Sequence, residues 1–120
     1  MIRLTSGKLK GRQLLTQKGK HTRPTLSKTR DAIFNMLMSR LDLDEYDACD
    51  LFAGSGALGF EAYSRGVNSV LFVENNLNAI QLLKKNITHF NISGFCFPIY
   101  SDAIQFLKKN TWGNFKTLFL

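Results

Sequence analysis

Acidic residues are missing from the first thirty positions: Arg3, Lys8, Lys10, Arg12, Lys18, Lys20, Arg23, Lys28 and Arg30 all precede the first acid, Asp31. A solvated face intersperses both signs, so an acid-free basic segment within a net charge of +7 points to a polyanionic partner. No amphipathic apolar stripe accompanies these charges, which favours nucleic acid over an anionic membrane. Cysteine is scarce as well. Cys49 and Cys96 lie in apolar, strand-like surroundings without C-x-x-C or Cys/His ligand spacing. That argues against a disulfide or a metal site and for buried, reduced thiols. No apolar run approaches the length that crosses a bilayer, and Met1-Ile2-Arg3-Leu4-Thr5 has no signal-peptide character, so a cytosolic protein is expected. At 120 residues the chain is read as one domain at most.

What is present is organised around Asp50-Leu51-Phe52-Ala53-Gly54-Ser55-Gly56-Ala57-Leu58-Gly59-Phe60-Glu61-Ala62, an apolar strand running through a glycine turn into a helix. Gly54 and Gly56 admit positive φ and close approach of a ligand, while the helix start points unpaired N–H groups at it. Gly54, Gly56 and Gly59 also spell G-x-G-x-x-G, and Glu74 follows at about the interval of a ribose-binding acid in a dinucleotide fold. Asp50 weighs against a dinucleotide. A carboxylate at the strand end opposes a pyrophosphate but suits a ligand with an amino group, a sulfonium and no phosphate, and S-adenosyl-L-methionine is such a ligand.

Taken in order, Ile2-Arg3-Leu4-Thr5, the glycine-bounded turn Ser6 to Gly11, and Arg12-Gln13-Leu14-Leu15 read as a small β-hairpin with a basic tip. Pro24 pushes Arg23 towards an extended backbone, forming a stiff strap before a helix that starts near Ser27. Phe34, Leu37, Met38 and Leu41 form that helix's apolar stripe, with Lys28, Arg30 and Asn35 facing elsewhere; Met36 and Met38 are read as core filler. A helix from about Ala57 to Arg65 stops at Gly66. Strand Ser69 to Val73 delivers Glu74, and Leu77, Ile80, Leu83, Ile87 and Phe90 stripe the next helix. Pro98 marks strand Phe95 to Tyr100 as an edge. Asp102 and a short helix follow, then apolar Thr117-Leu118-Phe119-Leu120. The alternation predicts an α/β fold with about four parallel strands and right-handed crossovers, preceded by the hairpin and first helix. Residues 1–26 are read as a basic hairpin and strap, and 27–120 as a partial ligand-binding domain.

The central string resembles motif I of class I S-adenosylmethionine-dependent methyltransferases, in particular of the bacterial family that methylates N2 of a guanine in 16S ribosomal RNA. Ser6-Gly7-Lys8-Leu9-Lys10-Gly11-Arg12-Gln13-Leu14 and Thr22-Arg23-Pro24-Thr25 resemble two further signatures of that family. The resemblance implies a Rossmann-like sheet and S-adenosyl-L-methionine as cofactor. It places Asp50 near the methionine end, Phe52, Gly54 and Gly56 in the turn, Glu74 on the ribose hydroxyls, and Asp102 and Ala103 at the adenine. It also implies 16S rRNA or a small-subunit assembly intermediate as partner, contacted by Lys8, Lys10, Arg12, Arg23 and Arg30. For Asp102 the plainer reading is a helix N-cap.

These methyltransferases position the target amine with an N/D-P-P-Y/F tetrapeptide after the fourth strand. The 120 residues contain none, and Phe115 to Leu120 resemble the strand leading into it. The chain is therefore read as truncated before that motif, covering about the first two thirds of a complete member. Three functions stay open at this point: an rRNA methyltransferase by descent, a non-catalytic RNA- or cofactor-binding remnant, and a dinucleotide oxidoreductase, which Asp50 and the basic arm disfavour.

Overall fold

A computed structural model describes residues 2–17, 27–110 and 116–120. The strap with Arg23 and Pro24, and the boundary expected at 26/27, lie outside them. Strands β1 (Ile2–Arg3) and β2 (Gln13–Leu14) pair antiparallel, with Ile2 opposite Leu14. Ile2, Leu4, Leu9 and Leu14 are buried in the main core, so the hairpin's apolar side is part of that core. Its turn is pressed onto helix α2 (Ala57–Ser64). Gly7 has φ +89, and a Cβ there would lie 1.8 Å from the Ser64 carbonyl oxygen. That carbonyl accepts from Lys8 N–H at 2.9 Å, and Ser64 Oγ accepts from Leu9 N–H at 2.9 Å.

Strands β3 (Asp47–Leu51), β4 (Val70–Glu74), β5 (Cys96–Tyr100) and β6 (Thr117–Phe119) form one parallel sheet in the order β5-β4-β3-β6. The chain steps outward from β3 to β5 and then returns to pair β6 on β3's other side. The carboxyl end of β3 is thus the point where strand order reverses, the place open α/β sheets bind ligands. β5 is an edge strand, as Pro98 predicts, because the ring removes a ladder donor.

Alternation along the strands divides the core in two. Ala48, Val70, Phe72 and Cys96 pack with α2 and α3 (Leu77–His89), while Cys49, Val73 and Ile99 pack with α4 (Ala103–Lys109). Phe60 of α2 meets Phe72 of β4 at a centroid distance of 4.7 Å and Phe90 edge-on at 5.6 Å. In α3 the buried stripe begins at Ile80; Leu77, expected in it, is exposed in the first turn, beyond the sheet's carboxyl edge.

Helix α1 (Ser27–Arg40) corrects two sequence expectations. Met36 and Met38 are not core filler; they are 57% and 47% exposed. The reason is that α1 turns Arg30 inward together with Phe34, one helical turn apart. Arg30 Nε donates to Glu61 Oε1 at 3.0 Å and its Nη2 to the Arg3 carbonyl at 2.6 Å. Glu61, fully buried on α2, also accepts from Arg65 Nε at 2.9 Å, and Arg65 Nη2 reaches Asp31 Oδ1 at 2.7 Å. A buried charge is tolerated only when paired and hydrogen-bonded, and here both Glu61 oxygens are engaged. This cluster joins hairpin, α1 and α2.

Candidate functional site: the turn after the central strand

The site begins where β3 ends. Phe52 carries a φ of +56 and is 73% exposed. The left-handed region costs a side-chain-bearing residue about 1–2 kcal/mol, and strain of this kind concentrates at ligand sites. Ala53 N–H donates to the Val73 carbonyl at 3.0 Å and Gly56 N–H to the Ala53 carbonyl at 2.8 Å, which close the turn against β4.

The three glycines have different jobs. A Cβ at Gly54 (φ +56) would meet only the Phe52 carbonyl at 3.9 Å, so this residue borders open space. A Cβ at Gly56 (φ +83) would lie 2.6 Å from Leu83 Cδ2 and 2.8 Å from Phe60 Cε2. The room left at Gly56 is filled by the core and not by a ligand. At Gly59 a Cβ would lie 2.4 Å from Phe72 Cε1, so the third glycine sets how closely α2 packs on the sheet.

Asp50 stands behind this turn. It is 3% exposed, and its Oδ2 accepts from Gly59 N–H at 2.9 Å, fixing the first turn of α2. Burial pushes its carboxyl up to about 7, with the Gly59 N–H opposing and the Glu74 charge adding to the rise. Its charge is thus weaker near neutral pH than the sequence argument supposed. It contributes through the turn's geometry.

Glu74, at the end of β4, faces the turn. Its Oε1 accepts from Gly54 N–H at 3.1 Å and its Oε2 from Asn76 N–H at 3.0 Å. A carboxylate offers about four lone-pair positions, so capacity remains on both oxygens for a vicinal diol. Asn76 Oδ1 in turn caps α3, accepting from Ala79 N–H at 3.0 Å. Together these residues line a cavity of about 210 Å³ formed by Thr16, Gln17, Gly54, Ser55, Glu74, Asn76, Ala79 and Leu82. Among the described residues the lining holds one acid and no base.

Of the expected cofactor residues, Gly54 and Glu74 line this cavity, and Phe52 and Gly56 belong to the same turn. Asp102 and Ala103 lie at the same carboxyl edge, past β5. Asp102 Oδ2 accepts from Gln105 N–H at 3.0 Å, so it caps α4. Ala103 is buried beneath.

Among the expected RNA-binding residues, Lys8, Lys10 and Arg12 are exposed on the hairpin. Lys8 Nζ lies 4.4 Å from the Tyr63 ring centroid and the Arg12 guanidinium 4.9 Å from that of Phe90. Such stacking orients a cation while leaving it in water. Arg30 is corrected: at 2% exposure and bound to Glu61, it is unavailable to RNA. Arg23 lies outside the described residues.

Sequence reasoning missed Glu61, Arg65 and Asn86. Glu61 had a signal, an acid within the apolar run Gly59-Phe60-Glu61-Ala62. Asn86 had one too, since it falls three residues after Leu83 on the buried stripe of α3. Thr16 and Gln17 had none.

The family model described as conserved hypothetical protein 95 matches residues 2–120. YlbH of Bacillus subtilis is 40% identical over 102 residues, 85% of this chain and 54% of that protein. Ribosomal RNA small subunit methyltransferase D of Escherichia coli K12 is 34% identical over 106 residues, 88% of this chain and 52% of that protein. A hypothetical protein of Thermus thermophilus superposes with a TM-score of 0.78 at 30% identity, covering 91% of this chain and 60% of that one. The chain spans about half the length of the curated relatives it matches, less than the two thirds expected from the sequence. No described helix is long and apolar enough to cross a membrane. The chain belongs to the conserved hypothetical protein 95 family, a methyltransferase family that includes ribosomal RNA small subunit methyltransferase D.

Proposed function

We propose that this chain forms the cofactor-binding and RNA-facing part of a cytoplasmic, S-adenosylmethionine-dependent enzyme that methylates N2 of a guanine in 16S rRNA, free or within a small-subunit assembly intermediate. The observation that carries this reading is the Glu74 carboxylate, tied to Gly54 N–H and lining a cavity beside the glycine turn. The donor set fits the cofactor. Glu74 has acceptor capacity for two ribose hydroxyls, Gly54 leaves open space for close approach, and among the described residues the lining offers no cation to a pyrophosphate. When bound, the cofactor supplies a methyl group already activated by its sulfonium, so the protein's work is positioning. Glu74 fixes the nucleoside end, with Asp102 and Ala103 proposed further along the edge. Asp50 holds the turn through Gly59 N–H. Lys8, Lys10 and Arg12, with Arg23, present cations to phosphates. The amine-positioning tetrapeptide is not among these residues, so transfer is proposed for the whole protein.

The test is incubation of the whole protein with methyl-labelled S-adenosylmethionine and small-subunit RNA, followed by nucleoside analysis. Label in N2-methylguanosine is expected. Cofactor and RNA binding without transfer would assign a non-catalytic binder instead, and label on another atom would overturn the stated specificity.

A further inference from the structure

The cofactor cavity has a wall that comes from neither the glycine turn nor the sheet. Thr16 and Gln17, shortly after the second strand of the hairpin, line it together with Glu74, Asn76 and Ala79. The residue before them, Leu15, is held by a side chain of α3. Asn86 of α3 is fully buried, and both ends of its amide serve the backbone of Leu15. Its Oδ1 accepts from Leu15 N–H at 2.9 Å and its Nδ2 donates to the Leu15 carbonyl at 3.2 Å. A buried amide on an apolar stripe is costly unless fully satisfied. This one pairs as a strand partner would, fixing the chain at the residue before Thr16.

We propose that Thr16 and Gln17 are ligand-contacting residues of this site, and that Asn86 is the positioning residue that holds them over the nucleoside end of S-adenosylmethionine. The inference rests on the reading of the cavity as the S-adenosylmethionine site. The Thr16 hydroxyl and the Gln17 amide can each donate and accept, which matches a ribose hydroxyl already held by the acceptor-only Glu74. The same stretch of chain carries Arg12 and Lys10, so the segment that faces RNA continues into the cofactor site.

The experiment compares wild-type protein with Thr16→Ala/Gln17→Ala, Asn86→Leu and Glu74→Ala, titrated with S-adenosylmethionine and S-adenosylhomocysteine by calorimetry. Loss of two polar contacts should weaken both ligands by about tenfold in the double variant, because the two ligands share the nucleoside end. Hydrogen exchange supplies a readout that a merely structural role would not move. Ligand should protect the Leu15 to Gln17 amides in the wild type and in Glu74→Ala at saturating ligand, but not in Asn86→Leu with its melting temperature above the assay temperature. Should Asn86→Leu fail to fold, the double variant decides alone. Wild-type affinity in the double variant, with binding weakened in Glu74→Ala, overturns the wall and leaves the cofactor reading standing. Absence of binding by the wild-type protein overturns both.

Discussion

Gly54 N–H donates to Glu74 Oε1 across 3.1 Å, joining the turn after β3 to the end of β4. The bond links the two features that a sequence scan finds separately, the glycine turn and the acid twenty residues on. It does so in a sheet whose order puts β3 and β4 side by side. Because Glu74 can accept more bonds than the backbone supplies, the pair is a prearranged acceptor at the edge where strand order reverses.

The glycines separate folding from binding. Gly59→Ala forces a Cβ against Phe72 and Asp50 and should cost about 1–3 kcal/mol of stability by overpacking, while the folded fraction keeps its ligand affinity. Gly54→Ala has room for its methyl and should cost only about 1–2 kcal/mol through its positive φ, yet lower ligand affinity at the open face. Urea titration and calorimetry on both variants check this. Equal effects on affinity would show that the turn is read by the ligand at both positions.

The buried ion cluster predicts a stability loss without an RNA phenotype. Glu61→Ala strands the Arg30 and Arg65 guanidiniums and should cost about 3–5 kcal/mol in urea denaturation. Arg30→Lys, which keeps the charge but loses the fork, should destabilise while leaving the salt dependence of RNA binding unchanged. A flatter salt dependence in Arg30→Lys would return Arg30 to the RNA-binding set.

The exposed hairpin cations predict the opposite pattern. Each phosphate neutralised contributes a slope of roughly −0.7 to −0.9 in log K against log salt, so Lys10→Ala/Arg12→Ala should lower its magnitude by about 1.5. Stability should fall by no more than about 1 kcal/mol, since both side chains are exposed and Arg12 gives up its contact with the Phe90 ring. An unchanged slope in a fluorescence titration with 16S rRNA fragments removes these two residues from the interface.

Asp50 predicts a pH dependence of defined sign. Its carboxyl is at about 7 when folded and near 3.8 when unfolded, so between these values the folded state holds the extra proton. Stability contributed by the neutral acid is complete below about 4 and is lost as pH rises to about 7. Asp50→Asn keeps an oxygen for Gly59 N–H and removes the titration. Its melting temperature relative to wild type should therefore rise between pH 5 and 8; a constant difference contradicts the buried-acid account.

The sheet, its helices and the turn were legible because alternation, stripe period and glycine spacing are local signals. Pro98 marked its edge for the same reason: a missing donor has one tolerated place. The inward turn of α1 was not legible. It depends on Arg30 finding Glu61, thirty-one positions away, and no periodicity announces an ion pair formed on folding. Asp50 and Gly56 were legible as residues of the turn but not in their structural roles, because only packing shows that Leu83 and Phe60 fill the space beside Gly56. The wall formed by Thr16 and Gln17 depends on Asn86 in the same way.

The central claim is that the cavity beside Gly54 and Glu74 binds S-adenosylmethionine. Calorimetric titration of the wild type and Glu74→Ala with S-adenosylmethionine and with NADH tests it most directly. The account predicts that the wild type binds S-adenosylmethionine more tightly than NADH and that Glu74→Ala weakens it by about 1–3 kcal/mol, the range for losing charged hydrogen bonds. Tighter binding of NADH, or S-adenosylmethionine affinity indifferent to Glu74, would contradict it.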